Sequence, residues 1–162
     1  MADHELKQNT GEHPAGDKGQ MLLFALFMIV WILDSFFLQL TSVTGMVPLL
    51  VRLVVAALIL GLGFYLISVS HFIVDANKRP KGVVSTGAFK YVRHPVYLAA
   101  LLFYLGMTIT TLSLACVVLF LAILLFYNFM AGYEERLLIA KFGDDYRDYM
   151  TRTGRWLPRL GA

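Results

Sequence analysis

Charge is what this chain lacks over most of its length. Only 15% of its 162 residues are Asp, Glu, Lys or Arg while 58% are hydrophobic, and a mean hydropathy of +0.66 excludes an ordinary soluble domain. Cysteine is nearly absent as well: Cys116 stands alone in an apolar run, so no intrachain disulfide framework can exist. A secretory leader is not read either, because residues 1–20 set Lys7 and Lys18 among Asp3, Glu5, Glu12 and Asp17, and the apolar run after them is long for a signal peptide. That stretch is expected to be a disordered cytoplasmic arm. Polar residues at midplane depth are too few for a proton or ion pathway. Basic residues interleaved with acids beside apolar runs make nucleic acid a poor partner.

What the chain has instead is four apolar runs, at 21–40, 48–74, 96–110 and 114–131. At about 1.5 Å per helical residue, 20 residues cross a core of about 30 Å. The second run is long enough to require tilt or an interfacial last turn around Ser68, Ser70 and His71, and the third is short. Pro48 and Pro95 suit first helical turns. The short links pair the runs into two antiparallel hairpins. The expected fold is therefore all-α: a polytopic membrane protein with four transmembrane helices, one domain over 21–162, and short cytoplasmic helices in the tail.

Orientation follows from the basic residues. Thirteen of fourteen Lys and Arg lie in the arm, in the 75–95 loop or in the 132–162 tail, with Arg52 as the exception. The loop has Lys78, Arg79, Lys81, Lys90 and Arg93 against Asp75, a net +4, and the tail has six basic residues against five acids, a net +1. All three segments are expected on the cytoplasmic side, in a prokaryotic inner membrane or the endoplasmic reticulum of a eukaryote. The other side retains only two short turns, too little for a receptor domain. Asp34 and Arg52 fall at similar depth in adjacent runs, and a mutual ion pair is the expected resolution of two costly intramembrane charges.

Candidate chemistry gathers on the basic side. In the loop, Gly82 and Gly87 permit tight turns, Thr86 adds a hydroxyl, and His94 directly precedes the helix that Pro95 starts. A helix N-terminus holds anionic ligand groups, and the Tyr91 and Tyr97 rings can stack on a base or enclose a cation. In the tail, Glu134 and Glu135 stand where flanking cations are usual. They invite pairing with Arg93, Arg136 or Arg155. Leu137, Leu138 and Phe142 give the next segment an apolar side, Gly143 ends it, and Asp144 is expected to cap a second short helix bearing Tyr146 and Tyr149.

Taken together, these two segments resemble the isoprenylcysteine carboxyl methyltransferase and phospholipid methyltransferase superfamily of integral membrane enzymes. The resemblance rests on Gly87 to Tyr97 with its Arg-His-Pro-x-Tyr, on Glu134-Glu135-x-Leu, on Phe142-Gly143-x-x-Tyr146-x-x-Tyr149, and on Arg155-x-x-Pro158. The tail is most similar to the prenylcysteine branch, and Ala99 stands where the phospholipid branch commonly has glycine. The resemblance implies S-adenosylmethionine as methyl donor, with S-adenosylhomocysteine as product. It implies a donor site formed by Val84, Gly87, Tyr91, Arg93, His94 and Tyr97, closed by Glu134 and Glu135. Arg152 or Arg155 would meet an acceptor carboxylate, with Tyr146 and Tyr149 shaping the pocket and Glu135 acting in catalysis. No metal is implied. The acceptor would be a lipid or prenylated molecule entering from the bilayer. Other readings stay open: a phospholipid N-methyltransferase, in which Glu135 or His94 would take the proton; an NADPH-dependent sterol or isoprenoid reductase, for which Lys78, Arg79 and Lys81 could bind a phosphate; or a non-enzymatic membrane interaction protein.

Overall fold

The computed structural model describes residues 16–74 and 82–159, with side chains over 16–70 and 82–159. Most of the expected arm, and the basic cluster Lys78, Arg79 and Lys81, fall outside the described residues. Among the described residues five α-helices follow one another: α1 Gly16–Ile32, α2 Leu49–Val74, α3 Pro95–Thr111, α4 Leu114–Phe142 and α5 Asp144–Arg152. Among the described residues there is no strand, only two isolated bridges. Among the described residues three helices are long and apolar enough to cross a membrane: α1 with its π-helical extension, α2 and α4. The 17 residues of α3 reach only about 25 Å.

The contacts fix the helix directions. Gly63 faces Ala99, Leu60 faces Gly106 and Arg52 reaches Thr110, so α2 and α3 run antiparallel. Their approach is close: a Cβ on Gly106 would meet Leu60 at 2.8 Å, and one on Gly63 the Ala99 carbonyl at 3.3 Å. Small residues at such crossings replace the hydrophobic drive that lipid cannot supply between helices. Phe24 lies by Phe103, Phe27 by Tyr104, and the Trp31 indole donates to the Met107 carbonyl, which makes α1 parallel to α3. Tyr97 beside Tyr127 sets α4 antiparallel to α3. The core centres on Phe27, Leu101, Tyr104, Cys116, Ile123 and Tyr127. Leu22, Leu50, Leu58, Phe64, Val118 and Leu125 point outward, the arrangement expected of a lipid-facing surface.

Five expectations are corrected by the structure, four of them at helix boundaries. Residues 16–20, read as arm, already belong to α1. The first apolar run leaves regular helix at Ile32 and finishes as a π-helix, Leu33–Leu38, closed by Gln39 in the left-handed region at φ 51°. The fourth does not stop at the membrane exit: α4 continues for 29 residues, about 43 Å, because nothing after Gly132 breaks it before Gly143, at φ 58°. Glu134 and Glu135 therefore ride on a rigid helix. Asp144 is the first residue of α5 rather than its cap, and its carboxylate pairs with Arg147 at 2.7 Å.

Asp34 and Arg52 do not pair. Asp34 accepts from the Thr41 and Ser113 hydroxyls at 2.6 Å each and from the Thr41 amide at 3.1 Å, while Ser113 caps α4 by accepting from the Cys116 amide. This network pins the 39–47 link across the start of α4. Arg52 donates to the Thr110 carbonyl at 2.7 Å, where the carbonyl-rich end of α3 favours a cation. Each charge finds its partner in backbone and hydroxyl groups closer at hand than the other charge.

Candidate active site

Three segments converge at one end of the helical bundle. The first is the loop into α3, where Gly87, at φ 59°, opens a short 3-10 turn, Gly87–Lys90. It ends at His94, the N-cap residue of α3, whose backbone carbonyl accepts from the Leu98 amide at 2.9 Å, with Pro95 in the first helical position. The second is the far end of α4, carrying Glu134 and Glu135. The third is a strap over 153–159, laid along the loop by a parallel bridge between Val92 and Gly154 and by the Arg93 amide donating to the Gly154 carbonyl at 2.9 Å.

Glu135 is the hub. Its Oε1 accepts from Arg93 Nε at 2.9 Å and Arg155 Nε at 3.0 Å and lies 3.3 Å from His94 Nε2, while Oε2 takes Arg155 Nη2. Arg93 is bound in turn by the carbonyls of Met150 at 3.2 Å and Thr153 at 2.5 Å. The Arg93 and Glu135 side chains are 8% and 4% exposed and that of Arg155 is 29% exposed, so this is a largely buried cluster rather than a surface salt bridge. Glu134 accepts the Tyr97 hydroxyl and lies 3.5 Å from His94 Nδ1. The His94 and Tyr97 rings stack at 5.7 Å with 6° between planes. Below them the Tyr149 hydroxyl donates to the Phe89 carbonyl at 2.6 Å, with the Tyr146 ring beside it.

Burial by itself would discharge the His94 ring, but the carboxylates of Glu134 and Glu135 outweigh it and hold the imidazole above its usual value of 6.5. Burial pushes the Tyr149 phenol up to about 12, partly offset by Arg93, and raises Tyr146 further still with help from Glu135. Both phenols are therefore neutral donors. A raised folded-state pKa means that the His94 contribution is fully present below about 6.5 and disappears as pH rises through the folded value. The melting temperature of the protein in nanodiscs is expected to fall as pH is raised beyond neutrality, and His94→Gln to flatten that dependence. An unchanged profile in the variant would remove His94 from the charge balance.

Of the residues singled out in the sequence, Arg93, His94, Tyr97, Glu134, Glu135 and Arg155 meet in one cluster, with Tyr146 and Tyr149 buried beside it. Arg152 is not among them; it is exposed and its Nε turns back to the Asp148 carbonyl, because α5 directs it away from α4. Tyr91 is 57% exposed and, with Gly87, lines a groove outside the cluster. Val84 lies half-buried ahead of the turn. That groove, about 540 Å³, is apolar and lies between Leu62, Tyr65 and Leu66 of α2, Leu98 and Leu102 of α3, and Trp156 and Leu157 of the strap. Two polar partners went unread in the sequence. Asn128 accepts Arg155 Nη1 at 2.9 Å and the Trp156 indole N–H at 3.3 Å. A lone carboxamide inside the 114–131 run was the available signal.

An all-helical membrane chain with a carboxylate–arginine–histidine cluster at one end of its bundle is the class defined so far. A family model described as phospholipid methyltransferase matches residues 40–145, and the chain belongs to that family. Methanethiol S-methyltransferase 1 of Bradyrhizobium diazoefficiens is 33% identical over 96 residues, covering 59% of this chain and 33% of the relative. Protein-S-isoprenylcysteine O-methyltransferase of Schizosaccharomyces pombe is 28% identical over 94 residues, 57% of this chain and 40% of the relative. The cobalt-zinc-cadmium resistance protein CzcN of Cupriavidus metallidurans is 35% identical over 86 residues, 52% of this chain and 39% of the relative. The chain thus spans 33% to 40% of the length of these curated relatives.

Proposed function

We propose that this chain transfers a methyl group from S-adenosylmethionine to a lipidated or amphipathic acceptor at the cytoplasmic membrane face, in the manner of an isoprenylcysteine carboxyl O-methyltransferase. The observation that carries this reading is the convergence of Arg93, His94 and Arg155 on Glu135. Family membership and the names of the two methyltransferase relatives support it. We further propose that α1 to α4 all cross the bilayer, with both termini cytoplasmic. In support, α1 parallels α3, and α2 and α4 each oppose α3, which brings the loop into α3, the end of α4 and the strap to one side.

The chemistry of the residues suits such a donor. A sulfonium and an ammonium are matched by Glu134 and by the Tyr97 ring, and an amino-acid carboxylate by the start of α3 beside His94. When bound, the donor supplies an electrophilic methyl; the protein has to align the acceptor in line and exclude water. Both oxygens of Glu135 are engaged by cationic side chains, so it is a poor proton acceptor. That favours an acceptor already ionised, a carboxylate, over an amine that must first lose a proton. Tyr146 and Tyr149, held neutral, brace the loop and strap without adding charge.

Calorimetry on the purified protein in nanodiscs tests the reading. S-adenosylhomocysteine is expected to bind and NADPH not to, and His94→Ala is expected to weaken S-adenosylhomocysteine at least tenfold. Binding of NADPH alone would move the chain to the reductase reading.

A further inference from the structure

The acceptor side of the site carries a residue with no role so far. Asn128 stands on α4 seven residues before Glu135, two turns nearer the bilayer centre by about 10 Å and on the same helix face. It is exposed, in a run otherwise free of carboxamides. Its orientation is set by its neighbours: Oδ1 accepts both Arg155 Nη1 at 2.9 Å and Trp156 Nε1 at 3.3 Å, so the amide nitrogen points away from them. Among the described residues none accepts from that nitrogen. A ladder therefore runs from Arg93 through Glu135 and Arg155 to Asn128, and it ends at lipid depth on two open N–H donors.

Arg155, the sequence's candidate for binding an acceptor carboxylate, spends Nε and Nη2 on Glu135 and Nη1 on Asn128. It lends positive potential from behind, while Asn128 faces outward. The Trp156 indole links this point to the apolar groove: its N–H is fixed by Asn128, its ring lies 6.0 Å from His94, and it forms part of the groove wall with Leu62 and Leu157. Trp156 is thus the one side chain that lines the groove and also touches both Asn128 and His94.

We infer that Asn128 recognises the head of the acceptor, donating its amide N–H groups to an anionic oxygen, carboxylate or phosphate, presented from the membrane. The inference rests on the methyl-transfer reading. It differs from a merely structural role in one respect, which an isosteric change exposes. Asn128→Asp keeps an oxygen for Arg155 and Trp156 but turns the outward donors into an anionic acceptor.

The experiment measures binding of N-acetyl-S-farnesylcysteine, a carboxylate head, and of phosphatidylethanolamine, a phosphate head, to wild type, Asn128→Asp and Asn128→Ala in dodecylmaltoside micelles. S-adenosylhomocysteine affinity is measured in parallel. At least one probe is expected to bind the wild type, identifying which oxygen is read, and to lose about tenfold or more in affinity in both variants. S-adenosylhomocysteine affinity should stay within about twofold throughout. Unchanged probe affinity in Asn128→Asp, or no binding of either probe by wild type, overturns the assignment. A fall in S-adenosylhomocysteine affinity in step with probe affinity overturns it too, since it marks Asn128 as a prop for Arg155. Wild type that fails to bind S-adenosylhomocysteine defeats the methyl-transfer reading itself, a separate outcome.

Discussion

Glu135→Ala is expected to abolish both S-adenosylhomocysteine binding and methyl transfer, and to lower stability by about 3 kcal/mol or more. The magnitude follows from what the truncation leaves behind. Arg93 and His94 are buried, and Arg155 is 29% exposed; all three point at the vacated space. Removing one member of a buried ion cluster leaves charges desolvated without compensation, which typically costs about 3–5 kcal/mol. The partial exposure of Arg155 lets water recover some of this. Glu135→Gln separates charge from shape, since it preserves volume but aims an N–H at one of the arginines. Thermal denaturation in nanodiscs and calorimetry with S-adenosylhomocysteine read the two effects. Wild-type affinity in Glu135→Ala would remove the cluster from the donor site, whatever happened to the melting temperature.

The second large effect is expected at a residue without a side chain. A Cβ on Gly154 would overlap the carbonyl oxygen of Leu157, a backbone atom that no rotamer change can move. Gly154→Val should therefore bend the strap away from the loop. The bond from the Arg93 amide to the Gly154 carbonyl goes with it, and the next two residues, Arg155 and Trp156, leave Glu135, Asn128 and the groove wall. Overpacking of this kind costs about 1–3 kcal/mol. Donor and acceptor binding should be lost together, because one strap serves both. Gly45→Ala is the matched control, with nothing within 4 Å of its Cβ, and should behave as wild type. A Gly154→Val protein with wild-type S-adenosylhomocysteine affinity would show that the strap is dispensable to the site.

Much of the fold was legible because in lipid the backbone must satisfy itself, so an apolar run of sufficient length leaves helix as the remaining choice. Leu49–Val74 and Pro95–Thr111 lie within a residue or two of the expected spans, and Pro95 starts α3 as read. Gly143 ends α4 because a positive φ there suits glycine. Boundaries set by packing or polar capture were harder to read. The π-helical close at Leu33–Leu38 depends on Asp34 being drawn to Thr41 and Ser113, residues 7 and 79 positions away. The unbroken passage of α4 through the membrane exit was hidden because apolar composition stops at Ala131 while helix propensity does not.

The site divides along the same line. Arg93, His94, Tyr97, Glu134 and Glu135 could be read because they lie in two local motifs whose spacing along α3 and α4 fixes where each points. Arg152 and Arg155 were indistinguishable by sequence: both are basic, both in the tail, three residues apart. The end of α5 and the extended strap turn one out to solvent and the other onto Glu135. Tyr91 and His94 are likewise neighbours in the loop, yet the short turn Gly87–Lys90 and the bridge from Val92 to Gly154 put Tyr91 on the groove and His94 in the cluster. The sequence by itself determined the membrane class, the all-helical fold and the two motifs, because hydrophobic length and local spacing act within a single segment. Only the tertiary structure decided which arginine closes the cluster, that Asp34 and Arg52 stay apart, and that Asn128 holds both Arg155 and Trp156, because each depends on side chains from different segments meeting at hydrogen-bond distance.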